Sequence, residues 1–161
     1  MKALSLLLVA ATIAAAPTVA GGPWISVELP PNPMDESTRG AFAVVHTYRH
    51  GDPMPYLVVG TAEGLNRGER RSLPLTITAT SRTGAMAIAR SWPTEGVWVL
   101  KLGVDGENLG AAIGVGADGE ATFVRIPTTR NGAPRNVTNS DVEAMLSALA
   151  SGSRIPSLAA R

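Results

Sequence analysis

The chain has 161 residues with 14 Lys plus Arg against 13 Asp plus Glu, two His and no Cys. Near-neutrality removes the electrostatic basis for holding nucleic acid or an anionic membrane surface. The missing cysteine excludes thiol catalysis, disulfides, thiolate metal sites and a lipid-modified cysteine anchor.

Met1 and Lys2 lead into an apolar run from Ala3 to Ala16 that ends in Thr18, Val19 and Ala20. That is the pattern of a secretory signal peptide over 1–20. The run is about 14 residues, short of the roughly 20 needed to span a bilayer as a helix. Cleavage after Ala20 satisfies the small-residue rule, so the mature chain is expected to start at Gly21, without a membrane span, in the periplasm or outside the cell. Lys2 is the only charge removed, which leaves a neutral mature chain of roughly 141 residues, enough for one domain.

Short strands then follow one another. Ile25, Val27 and Leu29 alternate with Ser26 and Glu28, and Pro30, Pro31 and Pro33 end the run. The spacing predicts further strands over Ala41–Arg49, Tyr56–Thr61, Leu73–Thr80, Ala85–Arg90, Val97–Val104, Ala111–Val115 and Ala121–Ile126. Asn66–Arg71 reads as a polar turn. Pro74 lacks an N–H, which places its strand at a sheet edge or delays its pairing. Seven or eight strands with turns at this frequency predict a mainly β fold, an antiparallel sandwich over 21–138. Ser140 and Glu143 form a capping box for one helix over 139–150, with Val142, Met145, Leu146 and Leu149 as its apolar stripe and Gly152 as its stop. The stripe is expected to pack on the sandwich. The tail 151–161 is expected to be mobile.

Gly84, Met86, Ile88, Trp92, Pro93, Gly96, Trp98 and Leu100 resemble the late strand pair of exported bacterial immunoglobulin-like sandwich domains. In that family a strand leads through a Pro and Gly corner into one carrying an aromatic and alternating aliphatics. The resemblance implies immunoglobulin-like architecture and a binding or scaffolding role, without the disulfide of antibody domains.

Gly114, Gly116 and Gly119 match the G-x-G-x-x-G spacing of dinucleotide loops, but a strand follows them instead of a helix, so a glycine-rich hairpin is expected. Asn136, Val137 and Thr138 spell a glycosylation triplet. His46, His50 and Met54 are the candidate metal ligands, a donor set suited to copper. Four residues along a straight strand span about 13 Å, so the two histidines can share a metal only if the chain folds back near Gly51–Pro55. The competing expectation is a hydrogen-bonded His46 beside the core and His50 in a loop. Trp92, beside Pro93, is the candidate for an exposed carbohydrate-stacking surface. No nucleophile elbow appears, and Asp35 and Glu36 adjoin each other in a Pro-rich loop.

The expected function is therefore an exported, non-enzymatic binding or accessory module of the bacterial cell envelope, without a cofactor and with an envelope protein as partner. The alternatives are a periplasmic copper protein using His50 with His46 or Met54, and a carbohydrate surface at Trp92.

Overall fold

In the computed structural model, which describes residues 21–153, Trp98, Leu100, Leu102 and Val104 all turn to one side of a strand and two sheets close over them. The strands are β1 (Trp24–Glu28), β2 (Ala43–Arg49), β3 (Asp52–Pro53), β4 (Val58–Asn66), β5 (Glu69–Pro74), β6 (Thr76–Ala79), β7 (Ala85–Ala89), β8 (Val97–Val104), β9 (Gly110–Val115) and β10 (Ala121–Arg125). One helix, α1 (Asn139–Ser151), follows. The first sheet runs β1-β2-β7-β6 with β3 paired to the end of β2, and the second runs β10-β9-β8-β4-β5. All pairs are antiparallel. Taken in chain order, this is the ABED sheet facing a GFCC′ sheet of an immunoglobulin-like sandwich, with β10 added beyond the G position. The predicted signal segment 1–20 and the tail beyond Ser153 lie outside the described residues.

Ten strands replace the expected seven to eight, for two reasons. β3 is a two-residue flap made by a tight turn that the Pro-rich composition concealed. The clean alternation of Leu73–Thr80 is also not one strand but two, in different sheets. The Leu75 N–H carries the β4–β5 ladder one residue past Pro74, donating to Gly60 O at 3.1 Å, and the chain then leaves the edge of the second sheet and enters β6 at the edge of the first. Asn66–Arg71 is likewise no six-residue turn. Arg67 and Gly68 alone make it, at φ 51° and 82°, and Glu69, Arg70 and Arg71 are strand residues whose polarity reflects an exposed edge.

β8 is buried on both faces. Its inward residues fill the sandwich, while Val97 and Val99 turn outward and meet Val142, Met145 and Leu146 of α1. The helix thus forms a third layer, as its stripe predicted. Its cap lies two residues earlier than expected. Thr138 is the N-cap and Asp141, not Glu143, closes the box, because Asp141 also receives two guanidinium hydrogen bonds from Arg135 at 2.6 and 3.0 Å. Gly152 ends the helix at φ 63°, the left-handed position its sequence signalled. Among the described residues no helix is long and apolar enough to cross a membrane.

Candidate functional site

Along β2 the side chains alternate, so Ala43, Val45 and Thr47 enter the sandwich and Val44, His46 and Tyr48 face outward. Residues directly paired on neighbouring strands share a face, which arranges the outer surface of the first sheet in rows. Trp24, Tyr48 and Pro53 form one row; Ser26, His46 and Ala85 the next; Glu28, Val44, Ala87 and Thr78 the third.

In the first row the Trp24 and Tyr48 rings stack, with centroids 4.1 Å apart and 10° between planes. Trp24 nonetheless stays 41% exposed at the open edge of β1. The His46 ring lies 6.3 Å from that of Tyr48.

Below the rings runs a polar network. His46 Nε2 donates to Glu28 Oε2 at 2.8 Å, and Arg82, from the β6–β7 turn, reaches the same oxygen at 3.3 Å. The Arg82 Nε is 2.9 Å from Asp35 Oδ2, an ion-pair distance. Asn32 N–H donates to Glu28 Oε1 at 2.6 Å, and the Ser37 N–H and hydroxyl donate to Asp35 Oδ1 at 2.9 and 2.6 Å. Burial pushes the Glu28 carboxyl up, but the Asn32 N–H, His46 and Arg82 outweigh it and hold it below the usual carboxylate value. The Ser37 hydroxyl, with Arg82, holds Asp35 down against a smaller effect of burial. These bonds fasten segment 30–41 to the sheet as a strap. Val44, Ala85 and Ala87 are buried on this outward face yet belong to neither apolar cluster, and Thr38 of the strap is buried too.

The structure separates the candidate metal ligands. His50 and Gly51 are the two tip residues of the β2–β3 hairpin, at φ 55° and 92°, so the chain does fold back there. The fold-back does not deliver Met54 to His50, however. Met54 N–H donates to Thr47 O at 2.9 Å, which sets Met54 about three residues down the hairpin. His46 belongs to the outward face with its Nε2 committed to Glu28, while Thr47, beside Met54, points inward. The candidates His46, His50 and Met54 thus sit on the outward face, at the hairpin tip and opposite Thr47 respectively, and among the described residues no group of three His, Cys, Asp or Glu is placed to hold an ion.

Trp92 is corrected as well. It is only 4% exposed, edge-on to Phe42 with centroids 5.1 Å apart and covered by the Arg90 guanidinium, so it offers no ligand a flat face. Trp98 is core, fully buried, with its indole N–H donating to Glu95 O at 2.9 Å. Gly116 and Gly119 form the β9–β10 hairpin turn, and the Phe123 ring lies against Gly114 where any side chain would collide. Asp35 joins the network, whereas Glu36 pairs with Arg39 on the surface.

Trp24, Glu28 and Arg82 were missed as members of one site. Their outward placement was readable from the period of two in β1, but their neighbours were not, because Tyr48 and His46 join them only through the β1–β2 register. Ser26 sits directly across from His46, yet no hydroxyl is hydrogen-bonded to either histidine among the described residues. The arrangement is equipped to hold a shape and present an aromatic surface.

No family model matches the chain, and neither a curated protein nor a solved structure is significantly similar to it.

Proposed function

We propose that the protein is an exported, non-enzymatic binding or accessory module of the bacterial cell envelope, and that the Trp24–Tyr48 corner of the first sheet meets a protein partner. One observation carries this reading: a tryptophan already stacked on a tyrosine keeps 41% of its surface in solvent. Tryptophan, tyrosine and arginine dominate the energetics of protein interfaces, and exposed Trp24 lies beside Tyr48 with Arg49 next in the strand. The immunoglobulin-like sandwich supports a binding role by analogy of architecture. Export rests on the apolar run Ala3–Ala16 and the small residues before Gly21. The non-enzymatic reading is supported by the engaged state of the network, in which Arg82 is ion-paired with both Glu28 and Asp35.

Immobilised protein incubated with envelope extract is expected to retain a partner that Trp24→Ala no longer retains, at unchanged secondary structure by circular dichroism. Retention of the same proteins by Trp24→Ala would exclude this corner as the contact. Intact-mass measurement of the secreted product is expected to show a chain starting at Gly21; a product that keeps Met1 would remove the export claim.

A further inference from the structure

The four sheet edges differ in how they are guarded. β5 carries Glu69, Arg70, Arg71 and Pro74; β10 has a register shift between Ala121 and Phe123 and ends in Arg125; β1 ends in Glu28 and runs into Pro30 and Pro31. Charges, prolines and bulges of this kind block strand addition. β6, Thr76–Ala79, has none of them.

Among the described residues no strand pairs with its outer side. Thr80 N–H donates to Ala85 O at 3.0 Å, so in the antiparallel alternation Thr76, Thr78 and Thr80 bond to β7. Ile77 and Ala79 therefore aim N–H and C=O away from the sheet. Leu75, just before β6, still belongs to the other sheet, where its N–H continues the β4–β5 ladder to Gly60 O. Beside Ala79 a crevice of about 350 Å³ opens between the sheets, with Tyr56, Leu57, Ala79 and Met86 as its apolar wall and the β6–β7 turn, Thr80–Thr83 with Arg82, as its polar one. Ala79 and Met86 share a row with inward-facing Val45, so the crevice leads toward the core. Its walls are fixed: the buried Thr47 hydroxyl donates to Met54 O at 2.6 Å and lies 3.3 Å from Gly84 O, tying the loop before β4 to the β6–β7 turn. Leu57 at the rim is 54% exposed.

We propose that β6 and this crevice form a strand-addition site: an extended, uncharged segment of a partner protein pairs with Ile77 and Ala79 and seats one apolar side chain against Met86 and Leu57. The charge pattern selects that occupant. The edge is neutral, and the one charge beside the crevice, Arg82, is already matched by Glu28 and Asp35. Main-chain bonds supply affinity and the crevice supplies selectivity, the division of labour seen wherever a peptide extends a sheet. The site rests on the binding-module reading but not on the Trp24–Tyr48 corner.

Random octapeptides displayed on phage are selected against the purified protein, and a synthetic copy of an enriched peptide is titrated. Enriched peptides are expected to be uncharged with alternating apolar residues, and to shift the Ile77 and Ala79 amide resonances. Ala79→Pro removes an outward N–H without removing a β7 bond and is expected to weaken binding at least about tenfold. Thr78→Lys, which guards the edge with a charge and leaves the backbone intact, is expected to do the same, whereas Trp24→Ala leaves peptide affinity unchanged. Absence of enrichment, charge-rich peptides, or equal binding by both edge variants overturns the proposal. A dimer in sedimentation that Ala79→Pro dissociates also overturns it, because the occupant is then a second copy.

Discussion

On the second sheet the outward residues Val97, Val99 and Ala112 disappear beneath Val142, Met145 and Leu146 of α1, whereas on the first sheet Val44 and Ala87 lie on the face fastened by the strap 30–41. The helix is an apolar seam. Each fully buried side chain of this size contributes roughly 1.5–3 kcal/mol, with no charge for salt to screen. The strap is held by ion pairs of Glu28, Asp35, Arg82 and His46, half-buried apart from Arg82, so that screening by solvent reaches them chiefly through the Arg82 side chain. One covering is a structural layer; the other is a local closure, sensitive to ionic strength and pH, beside the exposed Trp24–Tyr48 stack.

The largest expected effect comes from the seam. Met145 is fully buried, and Met145→Ala should cost roughly 2–5 kcal/mol and lower the melting temperature by about 10 °C, with little change in exchange at Ser37 or Thr38. A loss below about 1 kcal/mol would mean that α1 covers the sheet without stabilising it.

Next is the cap. Hydrogen bonds from Arg135, then those from Thr138, outweigh burial and hold the Asp141 carboxyl down to about 2 from an ordinary 3.8. A depressed carboxylate contributes stability present above its unfolded value and lost as pH falls through its folded value. Stability should therefore drop by of order 2 kcal/mol between about pH 4 and pH 2, in urea titrations, and the drop should shrink in Asp141→Asn. Glu28 and Asp35, also held low, act in the same direction, so the strap loosens over the same acidic side while Asp141→Asn leaves that part intact.

Trp24→Ala should cost only about 0.5–1.5 kcal/mol, the worth of an aromatic pair. A larger loss by thermal melting would make the stack a structural element of β1 before anything else. The smallest global effect is expected from Arg82→Gln, under about 1 kcal/mol because the side chain is 40% exposed. Its signature is local: faster hydrogen exchange at Ser37 and Thr38, reproduced in the unmodified protein by about 1 M salt and absent from α1. Equal exchange in both proteins would show that apolar contacts, not the ion pairs, hold the strap.

The strands that face apolar on one side and polar on the other were legible, and Val97–Val104 was placed to the residue. Failures fall where polarity had another cause. Glu69–Arg71 looked like a turn because an edge strand exposes both faces, and Leu73–Thr80 looked like one strand because alternation carries no mark of a change of sheet. His46 as a hydrogen-bonded residue on the face of Val44 and Tyr48 was foreseen, but its partner Glu28, eighteen residues away, was not. Trp92 is buried where an exposed face was expected, since a lone tryptophan beside a proline does not say which side of a sheet corner it takes.

The sequence by itself determined the class of elements, the helix with its stop at Gly152, the near-neutral cysteine-free composition and the apolar run before Gly21. Those properties depend on composition and short-range periodicity, which act over a few residues. Only the tertiary structure decided that Tyr48 lies on Trp24, that Arg82 joins Glu28 to Asp35, and that β6 is an unguarded edge. Each of these depends on strand register and sheet order, where a one-residue shift exchanges the two faces of a strand.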